Sequence, residues 1–285
     1  MYLLVYVDDL IVTGSDDVVV SSFISRLHAE FRIKDLGCLN YFLGLEATHH
    51  PTGLFLSQTK YAHNIVTRAG LLNAKPMPTP LATNASLVSG GPLYEDPTHY
   101  LSLVGALQYL TITRPDISYA VNQVSQFLAA PTIAHFHAVK RLIRYVKGTL
   151  SFGLTFSRPP TIKLQPTISR SSCESKYRAM ANTTAEIIWI THLLQELHAL
   201  PTDHPTLLCD NQSALFLTQN LVAHKRAKHI DLDYHFVREL VASGKLVTMF
   251  VPTKLQFADI FTKSLPRPQF EQFRRMLRLG LPPLA

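Results

Sequence analysis

Two apolar runs, Leu3-Leu4-Val5 and Leu10-Ile11-Val12, stand on either side of Tyr6-Val7-Asp8-Asp9, and no other stretch constrains the fold so tightly. Short hydrophobic runs interrupted by an acidic pair predict two strands joined at a tight bend. A carboxylate pair held on a rigid turn offers the hard oxygen donors that Mg²⁺ takes in octahedral geometry. The competing reading is an acidic pair that only solvates a turn. The four residues alone do not choose between the two.

The chain is 285 residues long, 47% hydrophobic, with a formal charge of +7. This is enough apolar material for one or two ordinary cores. The modest basic excess suits a nucleic-acid partner without requiring one. Cys38, Cys173 and Cys209 are odd in number and far apart, which gives neither a disulfide framework nor zinc-ligand spacing. A reducing compartment, cytoplasmic or nuclear rather than secreted, is the expectation. No apolar run is long enough to span a bilayer. Residues 1–7 are apolar but lack a basic flank and meet Asp8-Asp9 at once, so they do not read as a signal peptide.

Helical spacing of Val20, Phe23, Ile24 and Leu27 predicts a helix over 17–29. Residues 40–48 and 54–57 read as a second hairpin, and a helix follows from about Gln58, capped by Ser57 and stopped by Gly70. Residues 75–97 are rich in Pro, Gly and Ser and read as a linker or surface excursion. Leu101, Val104, Leu107 and Leu110 predict a helix that breaks at Arg114-Pro115. Asp116 is expected to cap the next one, and Pro131-Thr132 to start a third that stops at Gly148. On that third helix Lys140, Arg144 and Lys147 share a face. They form either a cationic rail for a nucleic-acid backbone or a solvated face near the negative helix end. Further on, the pattern predicts helices at 174–198, after Asn211 and at 229–243, strands at 206–209 and 245–251, and a helix over 256–263.

Taken in order, these stretches resemble the distal part of a copia-type retrotransposon Pol polyprotein. The resemblance covers residues 2–270. It rests on the Tyr-Val-Asp-Asp hairpin, Tyr41-Phe42-Leu43-Gly44-Leu45-Glu46, Leu103-Val104-Gly105-Ala106-Leu107-Gln108-Tyr109-Leu110 and Thr113-Arg114-Pro115-Asp116-Ile117. Downstream it rests on Lys147-Gly148-Thr149-Leu150, Ser169-Arg170-Ser171-Ser172, Cys209-Asp210-Asn211, Lys228-His229-Ile230-Asp231 and Ala258-Asp259-Ile260-Phe261-Thr262-Lys263. What it implies is an RNA-directed DNA polymerase joined to a ribonuclease H, acting with Mg²⁺ on a primer–template or RNA/DNA hybrid. Other Pol products are possible partners. Asp8 and Asp9 match the polymerase metal ligands, Tyr6 the nucleotide pocket, and Leu43 and Gly44 the primer grip. Asp210 and Asp259 match two of four ribonuclease H ligands; read without the family they are a turn aspartate and a first-turn helix aspartate.

The implied architecture is mixed, α+β then α/β. It has a partial reverse-transcriptase palm (1–74), a linker (75–99), a helical thumb or connection region (100–157) and a deletion junction (158–168). A truncated ribonuclease H-like domain (169–270) and a tail (271–285) complete it. Two-metal chemistry needs carboxylates from separate strands, and the family's further palm aspartate lies upstream of a hairpin that opens the chain here. The family's Asp-Ala-Asp-Trp-type strand is missing before Ser169, and its Glu-Ala-Glu-Tyr reads Glu174-Ser175-Lys176-Tyr177, which puts an ammonium where a ligand is needed. The expectation is a polypeptide inactive alone, with a strand near Leu207 left unpaired at one edge and a marginal second half. The alternatives are a fragment that still binds nucleic acid, or an active enzyme whose gene model is clipped.

Overall fold

The computed structural model describes all residues except 32, 52, 84–86, 158–162, 165–172, 201–202, 220–230 and 284–285. The blocks Ser169–Ser172 and Lys228–Ile230, and most of the 158–168 junction, therefore lie outside the described residues. The first hairpin forms as the apolar runs predict. Strand β1 (Tyr2–Tyr6) pairs antiparallel with β2 (Asp9–Thr13), and Tyr6 opposite Asp9 leaves Val7-Asp8 as a two-residue turn. Val7 takes φ +48, unusual for a β-branched residue. Helix α1 (Asp17–Glu30) follows, and Asp16 accepts hydrogen bonds from the Val18 and Val19 amides as its cap.

Strands β3 (Tyr41–Phe42), β4 (Leu45–His50) and β5 (Gly53–Ser57) run into helix α2 (Thr59–Arg68). Ser57 does not cap α2, because Gln58 holds that position and Glu46 accepts the Lys60 amide instead. Helices α3 (Pro97–Leu110), α4 (Ser118–Ser125) and α5 (Ile133–Lys147) supply most of the larger core, in which Ile65, Leu107, Val124, Leu142 and Ile143 are fully buried. The α5 stripe packs as its spacing predicts, and Thr132 with His135 closes a capping box at its start. Leu101 points outward instead of joining the α3 stripe; Tyr100 and Leu103 take the inward positions.

Several expectations are corrected. Residues 75–99 are not a free linker: Leu81 is buried, Tyr94 stacks on Phe136 at 3.9 Å, and Leu93 bridges Thr132. At its start the Lys75 carbonyl accepts from Arg144 of α5, and further on the Thr79 hydroxyl accepts from Arg141. Asp116 caps nothing. It is buried in the 3₁₀ turn Pro115–Ile117 beside Arg114.

Strand β6 (Gly153–Ser157) adds to β5, and Gly153 is needed there because a Cβ would stand 2.2 Å from the Leu56 carbonyl oxygen. Strand β7 (Lys163–Leu164) precedes the long α6 (Cys173–Glu196), β8 (Thr206–Cys209), α7 (Gln212–Gln219), α8 (Asp231–Ala242) and β9 (Val247–Phe250). The expected unpaired edge at Leu207 is absent: β8 lies between β7 and β9, parallel to both. Tyr177, Met180, Leu207, Ala214 and Val237 form a second, smaller core. The far half of α6 is less well covered, and Trp189 is 61% exposed.

The expected helix over 256–263 is instead a pair of 3₁₀ turns, Thr253–Leu255 and Phe257–Phe261. Nor is 271–285 a loose tail. Helix α9 (Arg267–Met276) drives Phe270 and Phe273 into the first core, and β10 (Leu279–Gly280) pairs with β6. An i, i+3 pair of phenylalanines on an otherwise polar helix is enough to dock it. The antiparallel sheet is thus five-stranded, in the order β10-β6-β5-β4-β3.

Candidate nucleic-acid and metal sites

Asp8 occupies the turn and Asp9 opens β2, both exposed, with Tyr6 directly across the hairpin from Asp9. Asp16 is committed to capping α1. Among the described residues no three His, Cys, Asp or Glu side chains converge as a metal-ion cage. The tip therefore offers the carboxylates of one hairpin only, and that set does not fit a pair of Mg²⁺ ions, which need ligands from separate elements.

Leu43 and Gly44 form the turn between β3 and β4, at φ +48 and +77. Tyr41 pairs with Glu46 and Phe42 with Leu45, so the turn has two residues with both φ values positive, the geometry that matches strand twist. The Tyr109 hydroxyl donates to the Leu43 carbonyl.

The two aspartates assigned to a second metal site border different cores. Asp210 follows β8, whose Leu207 and Cys209 belong to the smaller one, and stands next to Asn211, whose side chain accepts the Ala214 amide at the start of α7. Asp259 belongs to the turn Phe257–Phe261, beside Ile260 of the larger core. It is 1% exposed; one oxygen meets the Lys263 ammonium at 2.7 Å, and the other has no partner among the described residues. An ammonium already neutralising Asp259 competes directly with a cation there. The backbone of Lys176 lies in α6, and its side chain is outside the described residues.

The three cations of the α5 face are brought together but are not free. Arg144 Nε donates to the Lys75 carbonyl at 2.6 Å, Lys147 Nζ to the Ala74 carbonyl at 2.5 Å, and Lys140 Nζ lies 4.6 Å from the Phe136 ring centroid. Arg141 adds a bond to Thr79 Oγ1 at 2.9 Å. Arg141, Arg144 and Lys147 thus clasp residues 74–79 along α5, while Lys140 lies over Phe136 outside the clasp.

Sequence reasoning missed the polar centre of the larger core. Arg114 donates to both Asp116 carboxylate oxygens, at 3.0 and 2.9 Å, and to the Thr149 carbonyl and hydroxyl, each at 2.8 Å. Tyr145 donates to Asp116 at 2.5 Å, and Arg274 of α9 donates to the Tyr145 hydroxyl at 3.1 Å. Burial opposes the Arg114 charge, but the Asp116 carboxylate more than offsets this and holds its pKa above the usual value. Burial, then the neighbouring carboxylate, push the Tyr145 phenol well up, so it stays a donor. The Arg-x-Asp spacing at 114–116 was the available signal.

Residues 1–83 match the family profile for reverse transcriptase (RNA-dependent DNA polymerase). The chain is 40% identical over 314 residues to the Retrovirus-related Pol polyprotein from transposon RE2 of Arabidopsis thaliana, a match covering 97% of this chain and 22% of that protein. It is 34% identical to the Pol polyprotein from transposon TNT 1-94 of Nicotiana tabacum, over 96% of this chain and 24% of that protein. An uncharacterised mitochondrial protein of Arabidopsis thaliana is 45% identical over 66% of this chain and 94% of its own length. The chain belongs to the copia-type retrotransposon Pol family. It spans about a fifth to a quarter of the length of the Pol polyproteins it matches. The RE2 alignment has 314 positions against 285 residues here, so RE2 Pol carries segments that this chain lacks. No solved structure matches. No helix among the described residues is long and apolar enough to cross a membrane.

Proposed function

We propose that the chain is a Pol-derived polypeptide that keeps a β3–β4 hairpin, with Leu43 and Gly44 at its turn, suited to a primer–template duplex, but cannot by itself extend a primer or cut the RNA of a hybrid. One observation carries this reading. Asp8 and Asp9 share a single hairpin, and no third acidic side chain among the described residues completes a cage around them. The two-metal displacement needs both ions clamped from separate elements. The ribonuclease H half is read as a remnant for three reasons. Lys176 replaces a family carboxylate, Asp210 and Asp259 border different cores, and Asp259 is paired with Lys263. The strand that brings the family's first ribonuclease H aspartate is read as lost, and the RE2 alignment, longer than this chain, accords with that.

The experiment is primer extension by the purified full chain on primed RNA template with Mg²⁺. No product is expected. Templated extension that disappears in Asp8→Asn would overturn the reading. RNA cleavage in a labelled RNA/DNA hybrid, abolished by Asp210→Asn, would overturn its second half.

A further inference from the structure

The turn at Leu43 and Gly44 is fixed from beneath by two helices of the larger core. On the last turn of α3, Tyr109 donates its hydroxyl hydrogen bond to the Leu43 carbonyl. Its ring also floors the next residue: a Cβ at Gly44 would stand 3.4 Å from Tyr109 Oη and 3.6 Å from Cε1. Tyr61 of α2 meets that ring edge-on, centroids 5.1 Å apart and planes at 77°, which restricts its rotation. On the far strand, Glu46 Oε1 accepts the Lys60 amide at 2.8 Å, and the Lys60 ammonium lies 5.9 Å from the Tyr41 ring centroid. The outer surface of the hairpin stays open, with Tyr41 58% exposed.

A leucine in the left-handed region persists only where its surroundings over-determine it. Here Tyr109 supplies that determination. We propose that Tyr109 is the positioning residue of this turn: its hydroxyl sets the Leu43–Gly44 backbone against which the 3′ end of a primer strand is seated. This rests on the reading above that the hairpin meets a primer–template duplex. The role belongs to the hydroxyl, because the ring and its contact with Tyr61 survive in Tyr109→Phe while the carbonyl bond is lost.

Two measurements on the full chain test it. The first is amide hydrogen exchange over 41–46 without nucleic acid. Losing one hydrogen bond should speed exchange there about fivefold in Tyr109→Phe, with α5 unchanged. Equal rates overturn the clamp. The second is photo-cross-linking to a primer–template duplex with 4-thiothymidine at the primer 3′ end or at an internal position. The wild-type chain should give a 3′-end adduct within 41–46. In Tyr109→Phe that adduct should fall about fivefold while the internal-probe adduct keeps its yield, a shift in register that general loosening would not produce. Equal 3′-end yields in both proteins overturn the positioning role. No adduct from the wild-type chain overturns the primer reading and the seat with it, and faster exchange in Tyr109→Phe would then leave Tyr109 as a clamp on a turn with no primer to seat.

Discussion

Asp116→Asn is the substitution with the largest consequence for the larger core. The exchange keeps the shape of the side chain and removes its charge. Arg114 is then left with a full positive charge at 1% side-chain exposure and no counter-charge, since its remaining bonds go to Thr149. Three hydrogen bonds are weakened together, two from Arg114 and one from Tyr145. Breaking one side of a buried ion pair costs about 3–5 kcal/mol, against a typical total of ~5–15 kcal/mol. No solvent reaches the pair, so screening does not reduce this loss. Urea titration followed by far-ultraviolet ellipticity measures it, and exchange of the buried α3 and α5 amides assigns it to the larger core. Exchange of the α6 amides around Tyr177 and Met180 reports the smaller core separately. The double variant Arg114→Met with Asp116→Leu should recover much of the loss, because an apolar pair carries no stranded charge. A loss below about 1 kcal/mol in Asp116→Asn would refute the claim that this pair is a buried, mutually dependent unit.

Three further outcomes are expected. His135 accepts the Thr132 amide through Nδ1, and burial holds its pKa below the ordinary histidine value, so the folded chain favours the neutral ring. Its contribution should be complete above the unfolded pKa of about 6.5 and decline as pH falls below it; melting temperatures from pH 8 to 5 should slope less in His135→Gln, which keeps an N3 acceptor. Phe273→Ala should cost about 3–5 kcal/mol in urea unfolding, because Phe273 is fully buried where α9 docks. Arg144→Ala with Lys147→Ala should release residues 74–79 from α5, read as faster proteolytic cleavage there with little loss of α5 helicity.

The elements with local signals were legible in the sequence. The hairpin at Asp8-Asp9, the α5 stripe and the stops at Gly70 and Gly244, both at positive φ, follow from apolar runs, spacing and conformational preference. What was hidden depends on distant partners. Composition marked 75–99 as a linker, because nothing in a proline-rich run shows that Arg144 and Arg141 will reach for the Lys75 carbonyl and the Thr79 hydroxyl. Asp116 carried a good capping signature, but a buried guanidinium two residues away outbids an exposed cap. Strand β10 has two residues, too few for periodicity, and exists because β6 offers it an edge. Of the candidate sites, the residue types were readable at Asp8, Asp9, Leu43 and Gly44. Tyr109 was visible only as part of a motif, since its task depends on a turn 66 residues away in sequence.

The order of packing along the chain bears on which parts of the fold tolerate change. The larger core is built from 61–150 and then again from 257–277, while the smaller core uses 177–246, wholly between them. The smaller unit is therefore an insertion into the larger one, whose closure is made by β10 on β6 and by Phe270 and Phe273 under α5. Removing or adding residues in the insertion changes the length of a loop of the larger unit, and loop length enters stability only logarithmically. Damage to the closure does not have that tolerance, since it removes buried aromatic surface and the Arg274 bond to Tyr145 together. The Leu43–Gly44 turn is anchored to α2 and α3, on the protected side of this division. Perturbing the smaller core can thus leave the β3–β4 turn in place, and urea should unprotect the α6 amides around Tyr177 and Met180 before it releases that turn.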